Sequence, residues 1–358
     1  MMPGVNEAPG RATAPARRSH MTRRLSRAAA ALGALGLAAA CGGADAAVPP
    51  AEFYAGETIE FVVPYEPGGG YDLYARDIAP YLAKCTKSKV RVLNEPGAGG
   101  LLATSQTAVA KPDGLRVEIV NTIGVVSAQV GRVEGLNFDL ADFSWLARLS
   151  TEPNIVVVAA DSRFKTFDDM LRSKEPVKFV STGPGANDYI NPPLLSKIYD
   201  FPAEVITGFS GSGEARTAIL RGDADAQVMP LNTALSGIRA GLMRPVLVIG
   251  ETDDKHMAGV ASAAGITPRT PQQQAILRSL LDLTETSRTV AAPPHLDKGR
   301  LEYLRQAFKC ALTDPGLVRS GAEQQRPVSY LSGEDTRNLV VKVLNADPAF
   351  QTVVRANS

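Results

Sequence analysis

Three observations predict an α/β fold. Apolar runs of strand length alternate with amphipathic helical stretches along most of the chain. Three of those runs end in a glycine-rich turn that leads straight into a helical pattern. The 358 residues are 44% hydrophobic and 21% charged, which suits sizeable buried cores. Alternation of this kind predicts mostly parallel sheet, with any ligand outside the carboxyl ends of the strands.

The first corner organises the rest. Ile59 to Val63 is a buried strand, which Pro64, Pro67 and Gly68-Gly69-Gly70 end. Asp72 is a good N-cap for a helix over 72–84, in which Tyr74, Ile78, Tyr81, Leu82 and Cys85 share a face and Pro80 introduces a kink. Strand, glycine loop and helix N-terminus together present bare N–H groups and a positive dipole end to an anion. The loop lacks the Lys-Ser/Thr of a phosphate loop and the spacing of a dinucleotide fingerprint, so a small acceptor such as a carboxylate fits it best. The bland reading is a tight turn with no ligand.

The remaining elements follow in order. Strand 89–93 leads to a glycine turn, Asn94 to Gly100, and a helix over 101–110. A strand covers 115–121, a short helical piece 127–130, and strands 145–149 and 154–160 flank a break. A helix over 166–173 is capped by Thr166. Strand 177–181 ends in Thr182-Gly183-Pro184-Gly185-Ala186-Asn187-Asp188, the second corner, and a helix with Ile190, Leu194, Leu195 and Ile198 follows. Val205 to Thr207 leads to the third, Gly208-Phe209-Ser210-Gly211-Ser212-Gly213-Glu214, and helix 214–221. Strands over 226–229, 245–249 and 286–292 precede helices over 297–313 and 334–344. Three corners of one chemical type point to one shared cleft.

The N-terminus reads as a targeting segment. Residues 1–40 carry six Arg and one Glu, leaving a body of 32 basic and 36 acidic residues, a net −4, which argues against a nucleic-acid partner. The Ala/Leu/Gly run from Ala28 to Ala40 is too short to span a bilayer. It ends at Leu37-Ala38-Ala39-Ala40-Cys41-Gly42, a lipobox-like sequence that would place a lipid on Cys41; cleavage after Ala46 is the competing reading. Residues 41–55 then form a tether. Export leaves Cys85 and Cys310 in an oxidising setting. Cys310 points away from the stripe Leu301, Leu304, Phe308 and Leu312. A Cys85–Cys310 disulfide and two unrelated thiols are the alternatives.

At this point the sequence resembles the substrate-binding components of tripartite tricarboxylate transporters, the Bug-type receptors. The resemblance rests on Pro64-Tyr65-Glu66-Pro67-Gly68-Gly69-Gly70-Tyr71-Asp72 with Ala75-Arg76, on Val92-Leu93-Asn94-Glu95-Pro96-Gly97-Ala98-Gly99-Gly100, on Pro112-Asp113-Gly114, and on Asp142-Phe143-Ser144-Trp145-Leu146-Ala147. It implies a type II periplasmic binding protein fold, with two α/β lobes joined by two crossing strands near 148–158 and 243–250. Lobe one would comprise 56–150 and 251–358, and lobe two 151–250. A small carboxylate would sit between Tyr65, Gly69, Gly70 and Asp72 of lobe one and Thr182, Gly185, Ala186, Asn187, Ser210 and Gly213 of lobe two. Partners would be a small organic solute and membrane transporter subunits, with no cofactor. A ligand sensor for a membrane kinase is the alternative.

Two departures from the family pattern bear on the solute. Tyr71 replaces a small hydroxyl residue, and Asn187-Asp188 replaces a small hydroxyl-containing turn. An aromatic wall and an extra acid suggest an aromatic acid, an amino acid or another partly cationic molecule. Asp72 and Asp188 also read as helix N-caps. Enzyme signals are weak: three His, no zinc-protease or paired-cysteine motif, and Ser212 where a nucleophile elbow around Ser210 needs Gly.

Overall fold

Two six-stranded sheets carry the fold. The computed structural model describes residues 48–357, so the leader and Cys41 lie outside the described residues. The first sheet receives β1 (Thr58–Val63), β2 (Lys89–Asn94), β3 (Arg116–Asn121) and β4 (Ser144–Ser150). The chain then crosses to the second sheet, which holds β5 (Asn154–Ala159), β6 (Val177–Val180), β7 (Ala203–Ile206), β8 (Ala226–Pro230), β9 (Met243–Ile249) and β10 (Ala261–Ser262). It returns for β11 (Arg288–Ala292) and β12 (Leu331–Ser332). The spatial orders are β12-β4-β11-β3-β1-β2 and β10-β9-β5-β8-β6-β7.

Thirteen α-helices among the described residues pack around these sheets: α1 (Pro50–Tyr54), α2 (Gly70–Thr86), α3 (Leu101–Val109), α4 (Thr122–Gly131), α5 (Phe167–Leu171), α6 (Asn187–Tyr199), α7 (Ser212–Arg221), α8 (Leu231–Arg239), α9 (Pro271–Thr286), α10 (Lys298–Leu312), α11 (Pro315–Glu323), α12 (Gly333–Leu344) and α13 (Pro348–Ala356). None is long and apolar enough to cross a membrane.

The expectation of mostly parallel sheet is corrected. β1 pairs in parallel with β2 and β3, and β6 with β7 and β8. However, β11 runs antiparallel between β3 and β4, and β5 runs antiparallel between β8 and β9. β11 and β5 are the strands through which the chain enters each sheet from the other, and edge strand β12 also runs antiparallel to β4. The first crossing falls at 151–153, within the expected span. β9 lies wholly inside the second sheet, and β10 extends that sheet past residue 250. The return to the first sheet comes at Ser287, between α9 and β11, where φ is +40°. Residues 50–54, expected within a tether, form α1, because fully buried Tyr54 donates its hydroxyl to the Asp113 carbonyl (2.8 Å) and stacks on Tyr303.

Apolar spacing explains the cores. α2 buries Tyr74, Ala75, Ile78 and Leu82 against Ile59, Phe61 and Val63 of β1 and Leu304 and Phe308 of α10. It runs as one helix through Pro80. The Cys85–Cys310 bond ties α2 to α10, resolving the two cysteine readings in favour of the disulfide. A second cluster spans both sheets: Val120, Val126 and Trp145 on one side, Val156, Phe179, Leu194 and Leu280 on the other.

Candidate ligand-binding cleft

Three helix N-termini open onto one cavity of about 510 Å³ between the two sheets. The N-caps of α2, α6 and α7 are Gly69, Ala186 and Gly211, none of which bonds its helix through a side chain. The first-turn amides therefore have no side-chain cap, the Tyr189 amide alone reaching back to the Ala186 carbonyl (3.2 Å), and the positive dipole ends face inward. The corners meet across the gap. A Cβ added at Gly69 would lie 3.7 Å from the Glu66 carbonyl and 4.0 Å from Ser212 Oγ. A Cβ at Gly70 would come to 2.5 Å from Thr233 Oγ1 and 3.0 Å from Arg288 Nη2, so only glycine lets α2 start this close to α8.

Nine of the expected site residues line the cavity: Tyr65, Gly69, Gly70, Tyr71, Thr182, Asn187, Asp188, Ser210 and Gly213. Asp72, Gly185 and Ala186 do not, and each is turned elsewhere for a visible reason. Asp72 is the third residue of α2 rather than its N-cap. It accepts from the Gly68 amide (2.8 Å), Arg76 Nε (2.9 Å) and Asn94 Nδ2 (3.0 Å), bracing the loop from behind. Burial pushes its carboxyl up, but those hydrogen bonds outweigh it and hold the group below the ordinary Asp value. Gly185 and Ala186 instead receive the 97–100 turn. Gly99, at φ +66°, lies so close that a Cβ there would meet the Gly183 carbonyl at 2.6 Å and the Gly185 and Ala186 amides at 2.8 Å.

The first-lobe wall is aromatic. Tyr65 donates to the Gly99 carbonyl (2.8 Å) and accepts from Asn121 Nδ2 (2.6 Å). Its ring lies 5.0 Å from that of Tyr71. Burial pushes both phenols well up, so both stay protonated at neutral pH. Beneath them Arg288, fully buried, lies 4.6 Å over the Tyr71 ring and 4.7 Å over Tyr74. Its guanidinium pairs with Glu152 and donates to Asn232 Oδ1 (3.1 Å). Burial disfavours that charge, yet Glu152 and the facing tyrosines hold it in place. Glu152 sits in the first crossing and Arg288 beside the second, so one ion pair ties both passages between the sheets.

The second-lobe wall combines buried Asp188 with neutral polar groups and, on α7 and α8, the cations Arg216 and Arg239. Asp188, also not an N-cap but the second residue of α6, is 5% exposed. It accepts from Ser181 Oγ (2.8 Å), the Thr182 amide (3.2 Å) and Gln227 Nε2 (3.5 Å). Burial outweighs those bonds and raises its carboxyl to about 6. Asn187 donates Nδ2 to Asn154 Oδ1 (2.7 Å). Ser210 donates its hydroxyl to Glu214 Oε2 (2.7 Å), and neither His256 nor His295 lines the cavity. Among the described residues no cluster of His, Cys, Asp or Glu is placed to hold a metal ion.

Sequence reasoning missed Glu152, Gln227, Asn232, Thr233 and Arg288. Only Arg288 carried a local signal, being an arginine at the start of the otherwise uncharged strand β11.

The fold and cleft define a two-lobed α/β binding protein. Residues 74–350 match the model of the tripartite tricarboxylate transporter family receptor, and the chain belongs to that family. The protein of the tcbD-tcbE intergenic region of Pseudomonas sp. (strain P51) is 28% identical over 218 residues, which cover 58% of this chain and 63% of that one. Among solved structures, MatC from Rhodopseudomonas palustris with bound malate superposes with a TM-score of 0.69 at 21% identity, covering 83% of this chain and 99% of that one. R. palustris Rpa4515 with adipate gives 0.68 at 20% identity, covering 84% and 97%. These likenesses bear out the two-lobed fold of periplasmic solute-binding proteins.

Proposed function

We propose that this chain is the extracytoplasmic solute receptor of a tripartite tricarboxylate-type transporter and captures a small carboxylate in the interlobe cavity. The observation that carries this reading is the convergence of three uncapped helix N-termini, from both sheets, on one cavity. Each lobe supplies part of the donor set, so a bound anion stabilises the closed arrangement by the difference in its affinity for the two states. Malate and adipate, the ligands of the two solved relatives, are dicarboxylates that fit this chemistry. Two membrane subunits would receive the loaded form. The lipobox-like sequence supports export and a lipid on Cys41. The Ser210 hydroxyl is held by Glu214 rather than by a histidine, which favours binding over hydrolysis.

A thermal-shift panel of mono-, di- and tricarboxylates and amino acids, followed by calorimetry, tests the reading. At least one carboxylate raises Tm saturably, and Gly69→Val abolishes that shift by blocking approach to the α2 amides. Silence across the panel would refute solute capture; an unchanged shift in Gly69→Val would remove this loop from the site.

A further inference from the structure

The second-lobe wall holds a buried acceptor that nothing in the chain satisfies, beside a carboxylate that no cation pairs. Gln227, fully buried and lining the cavity, has its Oε1 without a hydrogen-bond partner, while its Nε2 is turned to Asp188. The Asp188 carboxylate has only neutral donors around it: Ser181 at the end of β6, Thr182, and Gln227 on β8. The groups facing it across the cavity are the protonated phenols of Tyr65 and Tyr71. Of the cations around the cavity, Arg288 is committed to Glu152 and covered by the Tyr71 ring, Arg326 pairs with Asp77, Arg216 donates to Ser236 Oγ (3.5 Å) and Arg239 to His256 Nε2 (3.4 Å), so none of them pairs with Asp188. A buried carboxylate with no cation carries a desolvation cost that an incoming positive donor relieves. An unpaired amide oxygen beside it is costly for the same reason.

We propose that Asp188 and Gln227 form a subsite for a protonated amine, so that the solute is an amino-carboxylate whose carboxylate lies at the helix N-termini and whose ammonium lies at Asp188. The ammonium offsets one carboxylate of the ligand, and the ligand's two charges face dipole ends on one side and an acid on the other. A plain dicarboxylate places a second negative charge against Asp188 or leaves that end of the cavity unfilled. Burial raises the Asp188 carboxyl to about 6, so this discrimination is present at neutral pH and fades as pH falls through that value. This inference rests on the receptor reading and narrows it.

The test uses the full chain and three matched pairs by calorimetry: succinate with aspartate, glutarate with glutamate, and phenylpropionate with phenylalanine. At pH 8 the amino member of at least one pair binds roughly tenfold or more tighter than its partner. In Asp188→Asn the ratio falls toward one, and the unaminated acid binds more tightly than it does to the unaltered protein, a gain that mere loss of structure does not produce. Without any substitution, lowering the pH from 8 to 5 shrinks the same ratio. Binding of none of the three amino acids, or a ratio indifferent to both the substitution and pH, overturns the subsite. Carboxylates outside these pairs still stabilising the protein would leave the receptor reading standing alone, whereas silence across the whole panel removes both.

Discussion

Glu118 stands in the middle of β3, fully buried, with its Oε1 accepting from Thr104 Oγ1 (2.7 Å) and its Oε2 unpartnered. Arg116, two residues away, is committed to Glu95 by two hydrogen bonds. Burial pushes the Glu118 carboxyl up from 4.5 to about 7, against the hydrogen bonds of the neighbouring threonines. The native state therefore keeps a proton that the unfolded chain has already released between those two values. Stability falls as pH rises across that window, is undiminished below 4.5, and carries the full cost above 7. The span corresponds to about 3 kcal/mol. Glu118→Gln removes the titration and keeps the shape. Urea unfolding of both proteins from pH 4 to 8.5, followed through the one tryptophan, buried Trp145, measures the difference. Asp188 titrates in the same window but identically in both proteins, so its contribution cancels. The variant gains about 3 kcal/mol on the parent between pH 4.5 and 8. Any misfit of the new amide is constant with pH, so a difference that does not vary with pH would refute the reasoning.

Three further outcomes follow from the packing. The Cys85–Cys310 bond closes a loop of 225 residues, and removing it in Cys85→Ser/Cys310→Ser costs about 3 kcal/mol, a fall in Tm of about 5 °C by calorimetry. Reductant lowers the parent equally and leaves the double variant alone; an unmoved Tm removes the bond from the stability account. Gly70→Ala drives a methyl into Thr233 Oγ1 and weakens carboxylate binding by roughly 5- to 150-fold, the equivalent of about 1–3 kcal/mol of overpacking, and Thr233→Ala in the same chain recovers most of it. No recovery would show that the two helices do not meet as described. Glu152→Gln strands the Arg288 charge and destabilises by about 3–5 kcal/mol, whereas Glu152→Gln with Arg288→Met is less damaging than the single change. Additive losses in denaturant unfolding would argue against direct pairing.

The parts of this molecule that were legible in the sequence are those written in neighbouring residues. Gly68 to Asp72 and Gly208 to Glu214 announce strand, turn and helix within a dozen positions, and the phase of Cys310 on its helix pointed away from the apolar stripe. Some local signals were present and passed over. Thr270 and Gln273 form a capping box with Pro271 at the first turn of α9, and Asp347 caps the Ala349 amide of α13, with Pro348 at its first position. Other features have no local signature at all. That β5 and β11 run antiparallel depends on where the chain crosses between sheets. That Gly185 faces a turn instead of a ligand depends on Gly99 and Gly124, whose Cβ positions the 183–186 backbone already occupies. Glu152 and Arg288 lie 136 residues apart, and only the folded chain brings them together.

The two sides of the cleft are held by different forces, and this bears on how ligand could enter. On one flank the lobes share apolar side chains, from Val120 and Val126 through Leu194 to Leu280, and backbone meets backbone at Gly99 and Gly124. Sliding such a surface opens voids, which close-packed interiors resist. On the cavity side the contacts are polar and sparse: Glu66 and Gly69 against Gly211 and Ser212, and Gly70 against Thr233. Separating them exposes little apolar area and frees groups that water can satisfy. Ligand exchange by lobe rotation would accordingly open at the glycine corners and pivot about the shared apolar cluster. The Glu152–Arg288 pair joins the two crossings next to Gly70, and so restrains how far the corners can part.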